Sequence, residues 1–234
     1  MKAFRSWILI AILVAATVAL AVSQSQAAIL LTYDLRVDGG GKTALVDHVG
    51  QVVYLQLYAI VTGADASLVN DGLLSGGGSV RSSTGGLLGD ILGLSVEPPF
   101  NFAGSSVGAA AGTAFDDDGD QDWGSISTSS ATGYFLFTPG IAPVYNTTGE
   151  YLVGEFSFTV KELDAAGTQL TFIPRVKIGT GSTLHKVYPD MVLTSMTGTD
   201  ARIATSGVQI MPEPATMALL GLGGLVALIR RRRA

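Results

Sequence analysis

The chain has 234 residues, no cysteine, and 14 Lys and Arg against 19 Asp and Glu, a formal net charge of −5. The missing cysteine excludes disulfides and thiol chemistry, and the acidic balance argues against nucleic acid and anionic lipid headgroups as partners. The charge is also uneven: six basic residues lie near the chain ends, and Ala28 to Met211 holds 8 Lys and Arg against 18 Asp and Glu.

At the N-terminus, Lys2 and Arg5 precede an apolar run from Trp7 to Val22. Ser25-Gln26-Ala27 then offers small residues at the two positions a signal peptidase reads. Residues 1–27 are expected to form a signal-peptide helix, handed to the secretion machinery and cut after Ala27. The part that remains is long enough for one domain with its own core.

Its pattern is strand-like. Ile29 to Val37 ends in alternation, and Gln51 to Val61 is long, β-branched and aromatic. Gly133 to Phe137 is a short apolar run. Tyr151 to Val160 alternates after Gly154, with Phe156, Phe158 and Val160 on one face and Glu155, Ser157 and Thr159 on the other. Thr168 to Ile178 and Ala201 to Ile210 continue the theme. Asp38-Gly39, Asn70-Asp71-Gly72, Pro139-Gly140 and Ala166-Gly167 supply turns between them. Short period-2 runs with glycine-rich punctuation predict an all-β fold, a single β-sandwich. Gly76 to Gly93 and Phe102 to Gly112 lack strand character and read as loops or a short helix. The ectodomain is expected over residues 28–200, with a last strand or linker over 201–211.

One constellation carries candidate metal chemistry. Asp116, Asp117, Asp118, Asp120 and Asp122 put five carboxylates within seven residues. Unit charges about 4 Å apart repel by about 1 kcal/mol even in water, and a hard cation such as Ca²⁺ removes that cost. Asp118, Asp120 and Asp122 have the first, third and fifth spacing of a calcium loop. Trp123 stands where such a loop needs glycine and Ser129 where it needs glutamate, so this is no EF-hand. Two readings stay open: a solvated acidic turn, and a Ca²⁺ site drawn from Asp116, Asp118, Asp120 and Asp122. No other cofactor is implied.

Other patterns point to chemistry less well. Gly39-Gly40-Gly41-Lys42-Thr43 ends like a phosphate loop, but Arg36 occupies the first glycine position, so it reads as a turn. His48 and His185 are far apart and read as surface or strand-end residues. Glu150 and Glu155 are a glycosidase pair in composition only, because their spacing along one strand puts them on opposite faces. Trp123, Tyr134, Tyr145 and Tyr151 are either a sugar-stacking platform or core. The chain lacks a credible acid/base or nucleophile set, and it is expected not to be an enzyme.

Two segments carry a family resemblance. Tyr54-Leu-Gln-Leu-Tyr-Ala59 and Gly149-Glu-Tyr-Leu-Val-Gly-Glu-Phe-Ser-Phe-Thr-Val160 resemble paired strands of cohesin-like modules. That resemblance implies a jelly-roll sandwich that binds dockerins or sugars through one exposed sheet face.

The C-terminus is the most specific part of the chain. Pro212-Glu213-Pro214 is followed by an apolar run, Ala215 to Ile229, and then by Arg230, Arg231, Arg232 and Arg233. At 1.5 Å per residue the run gives a helix of roughly 22 Å, short against a hydrocarbon core of about 30 Å. Four arginines resist translocation, so a short transmembrane helix would leave them cytoplasmic and the rest of the chain outside. The tripartite tail over 212–234 resembles the PEP-CTERM sorting tail, although Met211 stands where an aliphatic residue is commoner. The resemblance implies recognition by an exosortase, a membrane cysteine protease that cuts near the motif. The sequence therefore predicts an exported protein of the cell envelope or extracellular matrix, membrane-anchored through its tail transiently or stably. Its role is structural or, as a cohesin-like module, in binding a matrix polysaccharide or protein, with Ca²⁺ as a candidate cofactor.

Overall fold

Alternation of inward apolar and outward polar side chains builds the two sheets. The computed structural model describes residues 28–83, 85–103, 105–107, 110–112, 122–123, 135–174 and 184–214. In chain order the strands are β1 (Leu31–Val37), β2 (Thr43–Val46), β3 (Val52–Val61), β4 (Gly72–Arg81), β5 (Leu88–Val96), β6 (Ser106–Val107), β7 (Ala110–Gly112) and β8 (Asp122–Trp123). They continue with β9 (Phe135–Phe137), β10 (Val144–Tyr145), β11 (Glu150–Glu162), β12 (Thr168–Pro174), β13 (His185–Tyr188), β14 (Thr194–Met196), β15 (Ile203–Ser206) and β16 (Val208–Pro212). The all-β expectation holds: among the described residues the only helical segments are two short 3₁₀ turns, Leu68–Asn70 and Pro189–Met191.

The first sheet runs β15-β1-β3-β11-β5, and the second runs β14-β13-β4-β12-β16-β2 with the short strands attached to β4 and its neighbours. Within the first sheet only the β1–β15 pair is parallel. The sheets face each other across Tyr33, Leu35, Leu57 and Phe158 from one side and Phe137, Phe172 and Val187 from the other, all buried. Tyr33 meets Phe172 at 4.5 Å between ring centroids and Phe137 edge-on at 6.2 Å. Burial of such side chains from both sheets is the main driving force for the sandwich.

Three sequence readings need correction. Gly76 to Gly93, read as loop, contains the C-terminal half of β4 and much of β5. Gly76, Gly77 and Gly78 carry no side chain to alternate, yet each lies where one would collide with the core. A Cβ on Gly76 would strike the Tyr33 hydroxyl and Phe137, and one on Gly78 would strike the Ile173 carbonyl and Phe172. Glycine here marks close packing against Tyr33 of the facing sheet and against Phe137 and Phe172 of the neighbouring strands. Next, Ala201 to Ile210 is not one strand. It is β15 in the first sheet and β16 in the second, and the chain changes sheet at Gly207. Lastly, Phe102 to Gly112 holds the short strands β6 and β7. Of the strand read over Thr168 to Ile178, residues beyond Pro174 lie outside the described ones.

Candidate functional site

The outward face of the first sheet collects the polar and aromatic side chains that its inward alternation leaves over. On β3, Val53, Leu55 and Leu57 point into the core, so Tyr54, Gln56 and Tyr58 point out. Register then fixes their neighbours: Arg36 and Glu155 flank Gln56, Asp34 and Leu152 flank Tyr58, and Ser157 sits beside Tyr54.

β11 contains the largest departure from expectation. Glu150 and Glu155 share this outer face. A bulge between Leu152 and Gly154 inserts one extra residue, so Val153 and Gly154 are both buried and the alternation restarts. Counting by twos from Glu150 therefore fails past Val153. Both carboxylates are engaged. Glu150 accepts from Arg36 at 2.9 Å, and Glu155 accepts from the Gln56 side-chain amide at 2.8 Å.

Arg36 is the hub of one end of the face. Its guanidinium donates to Glu150 and, at 2.7 Å, to Asp34, and it lies 4.3 Å above the Tyr58 ring. The hydrogen bond to Glu150, followed by the one to Asp34, outweighs burial and pushes its pKa up, so its charge is permanent. Burial resists ionisation of Asp34. Hydrogen bonds from Lys42 and Arg36 overcome that and hold the carboxyl below its ordinary value. Lys42 thus serves the face structurally, and the glycine run before it is the turn that was expected, with Gly39 and Gly40 at φ +90° and +97°.

The other end is open. Tyr54 is 64 % exposed and Leu92 40 % exposed. Beside Tyr54 lies an open groove of about 370 Å³ lined by Asp38, Tyr54, Leu55, Gln56, Gly93, Ser95, Glu155, Phe156 and Ser157. Gly93, at φ +65°, lies in the bulge where β5 slips against β11 between Ser95 and Leu92. The groove offers the exposed Tyr54 ring, amide and hydroxyl hydrogen-bonding groups and the carboxylates of Asp38 and Glu155. Tyr54 and Tyr58 were not among the aromatics singled out from sequence, and their period-2 placement on β3 was the available signal.

The other sequence candidates scatter. Tyr151 is core, with its hydroxyl donating to the Asp71 carbonyl, while Tyr145 is half-exposed on β10. Trp123 is described through its backbone pairing with Val80 and Ala110, and Tyr134 lies outside the described residues. The four do not come together as a platform. His48 is exposed beside Asp47. His185 begins β13, the strand-end placement among the two expected, and it is fully buried there, with its Nδ1 2.6 Å from the Tyr33 hydroxyl. Asp122 is in β8, whereas Asp116, Asp118 and Asp120 lie outside the described residues. Among the described residues no group of three His, Asp or Glu side chains is placed to hold a metal. Ser25, Ala27 and Arg230 to Arg233 also lie outside them, and within them no helix is long and apolar enough to cross a membrane.

The Pro-Glu-Pro motif sits on the second sheet. β16 runs parallel to β2 with Gln209 to Pro212 beside Thr43 to Val46, and the Glu213 N–H donates to the Val46 carbonyl at 2.8 Å. Beside it is the turn between β11 and β12. An open groove of about 260 Å³ lies between Leu163-Asp164-Ala165 and Pro212-Glu213-Pro214.

No curated protein sequence matches this chain. Solved structures similar to it include cohesin modules. The sixth cohesin of Acetivibrio cellulolyticus scaffoldin B, solved with a mutant Cel5 dockerin, is 10 % identical with a TM-score of 0.42, over 78 % of this chain and 99 % of that one. The cohesin module of a Clostridium perfringens family 33 glycoside hydrolase is 10 % identical with a TM-score of 0.38, over 79 % and 99 %. At the C-terminus, residues 212–233 match the PEP-CTERM protein-sorting motif, and the chain carries that motif.

Proposed function

We propose that this is an exported, non-enzymatic recognition protein of the cell envelope or extracellular matrix, sorted through its PEP-CTERM tail by an exosortase-type enzyme. It binds a matrix protein or polysaccharide through the outer face of the β15-β1-β3-β11-β5 sheet. The observation that carries the binding role is the exposed Tyr54 beside the open groove, flanked by Gln56, Ser95, Glu155 and Ser157. Aromatic rings with a rim of hydrogen-bonding groups are how protein surfaces gain both area and specificity. The engagement of Glu150 and Glu155 by Arg36 and Gln56 supports a binding role over acid/base work. Asp116, Asp118, Asp120 and Asp122 are proposed as a Ca²⁺ site that steadies the segment around β8. The test is to immobilise residues 28–214, pass extracellular material of the producing cells over them in Ca²⁺ and in EDTA, and identify what is retained. A single protein or glycan species supports the recognition role. Retention of nothing in either condition contradicts it and leaves a passive matrix component.

A further inference from the structure

The groove beside Tyr54 spends its donors inward and shows acceptors outward. The Ser95 hydroxyl donates to the Glu97 carboxylate at 2.9 Å, the Ser157 hydroxyl to the Leu92 carbonyl at 3.3 Å, and the Gln56 amide to Glu155 at 2.8 Å. What remains for a ligand is the lone pairs of those hydroxyls, the Asp38 carboxylate and the second Glu155 oxygen. The basic side chains of this face are already tied. Arg36 holds Asp34 and Glu150, Lys42 holds Asp34, and Lys161 holds Asp90, and none of the three lines the groove. Among the described residues no basic side chain pairs with Asp38 or Glu155. An acceptor-lined, negative groove calls for a ligand rich in donors and positive in charge. We propose that it binds a polysaccharide carrying free amino groups, with a sugar ring on Tyr54 and ammonium groups on Asp38 and Glu155. This rests on the reading of the outer sheet face as the binding face, and it names the chemistry that face takes.

Register places these groups around the ring. Tyr54 lies beside Ser157, and Gln56 lies beside Glu155, which in turn lies beside Ser95. On the other side the Asp38 N–H donates to the Tyr54 carbonyl at 2.9 Å. Asp38 and Glu155 therefore flank Tyr54 from the β1 side and the β11 side. With strands about 4.8 Å apart, their backbones are roughly 10 Å apart. A polymer with positive groups in series engages both carboxylates across the ring. A pyranose lays a flat C–H face on an exposed aromatic ring and carries its hydroxyl and ammonium donors at the rim, all in one rigid unit. An ammonium close to Tyr54 also gains cation–π attraction. A lysine side chain brings the same charge, but it loses rotamer freedom on binding and offers the ring no flat face. An N-acetylated sugar leaves the two carboxylates without a cation, and an acidic polysaccharide is repelled by them.

The test measures equilibrium binding of the protein recovered from producing cells to three probes: a glucosamine oligomer, its N-acetylated counterpart of equal length, and an oligolysine of equal charge. The glucosamine oligomer should bind saturably, at least about tenfold tighter than either of the others, and more weakly as salt rises. Asp38→Asn keeps the shape of an exposed turn residue and removes one charge, and it should weaken glucosamine binding about tenfold. Equal affinity for the two saccharides, lost with Tyr54→Ala, overturns the amino-sugar assignment and leaves recognition by this face standing. Oligolysine binding as tightly as the glucosamine oligomer overturns it in favour of an unselective acidic surface. Binding of neither saccharide overturns it as well, and the face itself then stands or falls on whether a retained extracellular partner is lost with Tyr54→Ala.

Discussion

The Tyr33 hydroxyl and His185 Nδ1 lie 2.6 Å apart in the middle of the sandwich, with neither side chain exposed to solvent. The pair ties β1 of the first sheet to β13 of the second, across 152 residues of chain. A buried polar pair is costly to break, because the partner left behind loses its hydrogen bond without regaining water. Tyr33→Phe removes the oxygen and keeps the ring. It should lower stability by about 1–3 kcal/mol, measured by urea denaturation, with almost no change in the slope of the transition. His185→Ala combined with Tyr33→Phe should cost less than the sum of the two single changes.

The same burial sets an alkaline limit. Burial pushes the Tyr33 hydroxyl pKa far up, and burial is also the main reason that Tyr151 is pushed up to about 12. Unfolded tyrosine titrates near 10. Between the unfolded and folded values the unfolded chain loses a proton that the folded one keeps. Stability is therefore complete below about pH 10 and falls as pH rises above it, by about 1.4 kcal/mol per pH unit for each such tyrosine. Denaturant midpoints measured from pH 9 upwards should decline, and Tyr33→Phe should decline less steeply. Parallel curves for the two proteins would contradict this assignment.

Asp34 works at the other end of the pH scale. Its carboxyl is held below the ordinary value, so its contribution is present above the unfolded pKa near 4 and is lost as pH falls through the folded one. Asp34→Asn should cost about 1–3 kcal/mol at pH 7, since Lys42 and Arg36 both lose a charged acceptor. The difference between the two proteins should shrink in acid.

Gly76 offers a packing test. Alanine there has no positive-φ penalty to overcome, but its methyl would strike the Tyr33 hydroxyl and the Phe137 ring. Gly76→Ala should destabilise by about 1–3 kcal/mol, as overpacked cores do. Gly41→Ala, whose nearest neighbour is an ordinary 3.8 Å away, should be tolerated.

These glycines also explain what the sequence hid. β1, β3 and β11 were legible because Val53-Tyr54-Leu55-Gln56-Leu57 and its counterparts alternate plainly. Gly76-Gly77-Gly78 has no alternation, because Tyr33 and the neighbouring strands β9 and β12 fill the space its side chains would take. The bulge at Val153-Gly154 is equally silent, and it alone moves Glu150 onto the face of Glu155. The candidate face joins Arg36, Tyr54, Glu150 and Glu155, which pairing of distant strands brings together and sequence spacing does not. The sorting motif was fully legible, being linear. Its anchoring on Val46 was not.

For the acidic segment, the expectation concerns calcium. Asp118→Ala with Asp120→Ala should lower the melting temperature in millimolar Ca²⁺ and not in EDTA, because the cation that offsets the cluster's repulsion loses two of its ligands. Calorimetry of both proteins in both buffers checks it. Identical melts of the unsubstituted protein with and without EDTA would dismiss the site.

The most direct measurement compares retention of the extracellular partner by residues 28–214 carrying Tyr54→Ala with retention by the unsubstituted chain and by Gln209→Ala, an exposed position on the opposite sheet. The outer-face account predicts that Tyr54→Ala loses at least about tenfold in affinity, the equivalent of roughly 1.4 kcal/mol or more, while Gln209→Ala binds as the unsubstituted chain does. Equal binding by all three, with the Tyr54→Ala fold intact by circular dichroism, would contradict it.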